Sequence, residues 1–212
     1  MSWVDKKAVK EIKARLATYA MKVVHEDGLY RHLYCYSTTD ELPGNCSFEV
    51  VTWPGCATIY GDWCGAHTIS REPDMLQDFL NVRGVSYGYW AEKMRLVGRH
   101  QQIIEPSEKA CDLWLKAQIA AIKEDYDLTH TDLKDLREQY NWCRDGNNIF
   151  DWQKLQKVGD FFTENGDIIE LSINDAWELD FTEYTYEFLI ACEGLRFAAN
   201  SWVKRQRGVV EQ

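Results

Sequence analysis

The spacing of apolar positions changes several times along the chain, and each change predicts an element. Residues 2–28, SWVDKKAVKEIKARLATYAMKVVHEDG, read as one helix. Val9, Ile12, Leu16, Tyr19 and Val23 fall on a single face at helical spacing. Ser2 is the expected N-cap, answered by Asp5, and Asp27-Gly28 the expected stop. The period then drops to two. Tyr30, His32, Tyr34 and Tyr36 alternate with Arg31, Leu33 and Cys35, as a strand requires. After the turn cluster TTDELPGN, FEVVTW is a second strand with Phe48, Val50 and Thr52 on one face and Glu49, Val51 and Trp53 on the other. CATIYGDW, past the turn dipeptide Pro54-Gly55, is a third, and GAHTISR a fourth. Together they predict an antiparallel meander.

Helices are predicted beyond it. Glu72-Pro73-Asp74 opens a short one over MLQDFL, and YWAEKMRLV forms another. Ser107 caps SEKACDLWLKAQIAAIKEDY. Thr129 or Thr131 starts DLKDLREQYNWCR, and FDWQKLQKVGDFF is a further short helix. At the end Phe181, Tyr184, Phe188, Ala191, Leu195, Ala198 and Trp202 step alternately by three and four. That seam is either core or a self-association face, with Tyr184, Phe188, Ala191, Leu195, Ala198 and Trp202 as the face. The fold class is α+β: an N-terminal helix, a three- to four-stranded antiparallel meander, then a mostly helical half. The expected division is residues 1–100, helix plus sheet, and 101–212, helices packed on it as one compact domain.

Composition narrows the class. The 212 residues are 45% hydrophobic and 27% charged, as in a globular protein. No apolar window is long enough to span a membrane, and the N-terminal stretch lacks the apolar segment of a signal peptide. A cytoplasmic location is expected. The seven cysteines are odd in number and scattered, so free thiols are expected.

Candidate chemistry centres on FEVVTWPGCATIYGDWCGAHTISR, residues 48–71. Cys46, Cys56, Cys64 and His67 are residue types that zinc accepts, and Cys64-x2-His67 has knuckle spacing. Cys46-x9-Cys56 does not, and sheet cysteines are the simpler alternative. Cys64 with His67 or His32 has the residue types of a thiolate–base pair. Asp62, after Gly61, suits a turn or a carboxylate for such a site. No phosphate-binding, dinucleotide-binding or nucleophile-elbow motif is present, and no basic patch with interleaved aromatics. No catalytic residue, metal or cofactor is assigned, and direct nucleic-acid binding is not expected.

Charge is distributed unevenly. The chain carries −10, and residues 158–195 hold ten acids with no Lys or Arg. Such a field attracts basic partners and repels nucleic acid. The alternatives are a solvated face and a docking surface that imitates the charge spacing of a duplex. Asp167, Glu170, Asp175, Glu178 and Asp180 are the candidate acidic contacts. Phe161, Phe162, Trp177, Phe181, Tyr184 and Tyr186, interleaved here, are candidate interface anchors.

YRHL (30–33), FEVVTWPG (48–55), GDW (61–63), SREPDM (70–75) and YWAEK (89–93) together resemble an uncharacterised family of phage and prophage accessory proteins. The resemblance covers residues 28–95. Cys56 and Trp63-Cys64 depart from the family's pattern. The resemblance carries over no catalytic residue. It implies a small protein made during infection, and hence a non-enzymatic binder of a bacterial host protein, such as a nucleic-acid-binding defence complex. The alternatives are a small zinc- or thiol-dependent enzyme centred on Cys56, Cys64 and His67, and a structural or regulatory phage protein that forms a homodimer.

Overall fold

A computed structural model of the chain describes residues 2–39, 46–97 and 102–208. Asp5, rather than Ser2, caps the first helix, α1 (Lys6–Leu16), by accepting from the amides of Lys7 and Ala8. α1 ends at Leu16, seven residues before Val23, the last position of the apolar face. Residues 19–27 form strand β1 (Tyr19–Asp27) instead. The apolar positions Tyr19, Met21 and Val23 satisfy a period of two as well as of four. Pairing with the next strand decides between them: Tyr19 lies opposite Ser37 and Val23 opposite Leu33.

The meander has more strands than expected. β2 (Tyr30–Ser37), β3 (Phe48–Trp53), β4 (Cys56–Gly61) and β5 (Gly65–Ser70) follow β1 in order, all antiparallel. A π-helical turn (Met75–Phe79) capped by Asp74 and helix α2 (Tyr87–Lys93) come next. α2 stops where Met94 adopts extended backbone, and β6 (Met94–Val97) completes a six-stranded sheet in order β1-β2-β3-β4-β5-β6. The expected helix through Val97 is therefore half strand.

Alternation gives the sheet two unlike faces. Leu33, Cys35, Phe48, Val50, Ala57 and Ile59 are buried on the inner one. Helix α6 (Tyr186–Gln206) crosses that face, and α1 packs beside it. Gly194 permits the close approach: a Cβ there would lie 2.8 Å from Ile59 Cδ1. The predicted seam on α6 is core. Phe188, Ala191, Leu195 and Ala198 are fully buried, and Tyr184 and Trp202 nearly so. This corrects its reading as a self-association face, because side chains packed on their own sheet are not available to a second copy.

The chain divides into two compact units, one of residues 4–104 and 184–212, the other of 1–3 and 105–183. It passes between them within β7 (Ile104–Pro106) and β10 (Thr182–Tyr184). The last helix thus returns to the sheet unit, and residues 101–212 are not one region. The second unit holds α3 (Glu108–Asp125), capped by Ser107 as expected, and α4 (His130–Trp142), capped by Thr129. Further on, α5 (Trp152–Gln156) is shorter than predicted. A hairpin of β8 (Phe161–Phe162) and β9 (Ile168–Ile169) and a 3-10 turn (Ala176–Glu178) follow. Its separate core gathers Leu115, Leu136, Tyr140, Leu155 and Leu171 around Trp114, which meets Tyr140, Phe150 and Phe181 edge-on.

Candidate functional site: an acidic, aromatic-tipped hairpin

The second unit carries the charge. Residues 105–183 contain 8 basic and 19 acidic residues, a net −11, and residues 1–3 add none. The sheet unit contains 16 basic and 15 acidic residues, near neutral. The whole excess negative charge therefore belongs to one folded unit.

The ten-acid run does not stay together. Asp160, Glu164, Asp167, Glu170, Asp175, Glu178 and Asp180 are exposed in the acidic unit, which also holds the half-buried Glu183. Glu187 lies in the sheet unit, and Glu193 is wholly buried there. All five predicted acidic contacts are on the surface. Asp180 is partly occupied, accepting from the Thr182 amide and hydroxyl. Burial pushes its carboxyl up, but the Thr182 hydrogen bonds help hold it below its ordinary value.

The hairpin adds exposed apolar side chains to the same unit. Phe161 pairs with Ile169, both buried. Phe162 pairs with Ile168, 69% and 58% exposed. The turn between them is held firmly. Thr163 and Asp167 exchange hydrogen bonds across it, and Gly166 takes the left-handed backbone, φ +89°. Asp132 anchors the turn from outside: Oδ1 accepts from the Glu164 amide at 2.9 Å, while Oδ2 accepts from the Thr129 amide and hydroxyl. Asn165 Nδ2 donates to the Asp127 carbonyl. Trp177, 56% exposed, stands between Asp175 and Glu178 in the 3-10 turn. Each exposed apolar tip thus has carboxylates as sequence neighbours. Of the other predicted anchors, Tyr186 is exposed, whereas Phe161, Phe181 and Tyr184 are core.

The cysteine–histidine constellation does not assemble. His67 and Cys64 are fully buried on the inner side. Cys56 lies on the opposite face of the sheet with Trp53 and Tyr60, by the alternation with buried Ala57 and Ile59. Cys46 takes a hydrogen bond from Arg15 Nη2 at 2.7 Å. Among the described residues no three His, Cys, Asp or Glu side chains meet in a metal-binding group. Both His67 ring nitrogens lack a hydrogen-bond partner. Burial pulls the imidazole's pKa down, with the Cys64 backbone a partial counterweight short of hydrogen-bond geometry. Burial pushes the Cys64 thiol up to about 12, so it is not a ready nucleophile. Asp62 is an exposed turn residue.

The motif residues behind the phage resemblance hold the sheet unit together. Arg31, 7% exposed, clamps Asp74 with both guanidinium nitrogens, at 2.7 and 2.8 Å, and lies 4.2 Å over the Trp202 ring. Trp202 Nε1 and Arg205 both donate to Glu26. Gly55, φ +80°, makes the Pro54-Gly55 turn, whose backbone bonds to Pro73 and Arg71. Trp90 is core. These residues hold the sheet unit together by packing, a turn and a charge-assisted clamp.

Comparison with family models, curated proteins and solved structures gives no match. Among the described residues no helix is long and apolar enough to cross a membrane.

Proposed function

We propose that this protein is a non-enzymatic, phage-encoded inhibitor of a bacterial defence complex. It binds a host protein through the acidic unit and covers a basic nucleic-acid groove. The observation that carries this reading is the segregation of charge: net −11 in one unit against near neutrality in the other. A surface of that sign is steered to a basic groove and away from the nucleic acid itself. Phe162, Ile168 and Trp177 supply apolar anchors among the carboxylates. The phage resemblance supplies the setting, and bridging between subunits of the target is a compatible form of the same contact.

The test is a pull-down with the tagged full chain from nuclease-treated lysate of cells carrying several defence systems, at low and high salt. A stoichiometric, salt-sensitive partner is expected. Reversing Asp167, Glu170, Asp175, Glu178 and Asp180 to Lys should cut affinity at least about tenfold and flatten the remaining salt dependence. Affinity unchanged by the five reversals refutes the acidic contact.

A further inference from the structure

The outer face of the sheet carries a different arrangement, centred on Glu49. Strand register sets Glu49 opposite Tyr34 on β2 and opposite Tyr60 on β4. Glu49 Oε2 accepts from the Tyr60 hydroxyl at 2.5 Å and interacts with His32 Nε2 on the same side. Three neighbouring strands thus fix one carboxylate. Among the described residues no hydrogen bond or ion pair reaches its other oxygen, Oε1, and the side chain is 30% exposed. The Tyr60 hydrogen bond first, then His32, outweigh desolvation and hold the carboxyl below its ordinary range. Glu49 is therefore a partly exposed carboxylate, held by neighbours on two strands and favoured in its ionised form.

Its surroundings select among ligands. Tyr36 and Tyr60, flanking it on the neighbouring strands, are each exposed by more than a third, Tyr34 and Tyr36 stack at 5.5 Å, and Trp53, as exposed, lies on the same face at the far end of β3. Thr58 and Thr68 add hydroxyls on the same side, bonded to each other at 2.7 Å. Among the described residues this face offers Lys22 and the His25–His32 pair rather than a row of arginines and lysines to hold a phosphate backbone, and Glu49 repels one. A cationic ligand gains little, because two donors already share the Glu49 charge and Lys22 stands opposite Tyr34. A neutral polyhydroxylated molecule matches what is displayed: hydroxyl donors for Oε1 and the tyrosines, C–H faces for the rings.

We infer that the outer face of the sheet binds a neutral saccharide, with Glu49 Oε1 accepting from its hydroxyls and Tyr36, Tyr60 and Trp53 packing on its apolar faces. This site is separate from the acidic hairpin and stands or falls without it.

Saturation-transfer NMR on the full chain tests it, using cellohexaose, chitohexaose and maltohexaose in turn at millimolar concentration. A thymidine oligonucleotide and N-acetyl-arginine amide are the competing probes. At least one sugar should show transfer. Glu49→Gln should weaken it about tenfold, the size of one hydrogen bond to a charged group. Tyr36→Ala, which leaves the Glu49 network intact, should weaken it severalfold, and exposed Lys116→Ala not at all. Transfer from none of the sugars overturns the inference. So does binding of the oligonucleotide or the arginine probe alone, or sugar binding undiminished in both Glu49→Gln and Tyr36→Ala.

Discussion

Removing the carboxylate buried beneath α6 should unfold the sheet unit far more readily than its size suggests. Glu193 is wholly buried. Oε2 accepts from Arg196 Nε at 2.6 Å and Oε1 from the Tyr87 hydroxyl at 2.6 Å, with Lys13 Nζ 3.4 Å away. One side chain therefore joins α1, α2 and α6. Glu193→Ala leaves Arg196, whose side chain is 19% exposed, and the Tyr87 hydroxyl without their acceptor. Each such hydrogen bond to a charged group contributes about 1.5–3 kcal/mol. Lys13, 44% exposed, adds only a few tenths after solvent screening. The expected loss is about 3–5 kcal/mol, as when one member of a buried ion pair is removed. By differential scanning calorimetry that lowers the sheet-unit transition by roughly 10–20 °C. The triple variant Lys13→Met, Glu193→Leu, Arg196→Met removes the charges together. It should recover most of the loss, because the desolvation penalty goes with them. A Glu193→Ala transition within about 2 °C of wild type refutes the reasoning. So does a triple variant no more stable than the single one.

Three further outcomes are expected. Gly194→Val should destabilise by about 1–3 kcal/mol in urea denaturation, since its Cβ would press on Ile59; wild-type stability would show that α6 lifts freely from β4. Burial pushes the Asp74 carboxyl up, but the Arg31 clamp and the Gln77 and Leu76 amides outweigh it and lower its pKa. Its contribution is complete above the ordinary Asp value near 4 and is lost as pH falls through the lower folded value. Asp74→Asn should cost about 2 kcal/mol near neutrality and flatten the acid limb of the stability–pH curve below about pH 4; an unchanged limb contradicts the clamp. Cys46 and Cys56, half-buried, should react with Ellman's reagent in the folded protein. Cys35, Cys64, Cys111, Cys143 and Cys192 should react only on unfolding; prompt reaction of more than two thiols contradicts the burial described.

Strands β2 to β5, the alternation of β2 and β3, helix α3 with its Ser107 cap and helix α4 were legible in the chain, while the structure chose Thr129 over Thr131 as the cap of α4. Alternation, helical spacing and capping are short-range signals, set by the geometry of each element itself. The exposure of Asp167, Glu170, Asp175, Glu178 and Asp180 agrees with their place in an acid run. The remaining outcomes depended on what packs against what. Tyr19 and Val23 fit a helix face and a strand face equally, and only pairing with β2 made residues 19–27 a strand. The repeat from Tyr184 to Trp202 fits any partner with a complementary surface, and that partner is the chain's own sheet. Cys56 and His67 are eleven residues apart but on opposite faces, because they lie on successive strands at positions of opposite pleat. Glu193 reads in sequence like the exposed acids of the same run, yet α6 turns it inward to Arg196 and Tyr87. The Glu49–His32–Tyr60 cluster had no sequence signal, since its members are up to twenty-eight residues apart and meet only through strand register. Local physics determines which elements form and which way they face. Contacts distant in sequence decide which of those faces meet, and with them where charge is buried and where it is displayed.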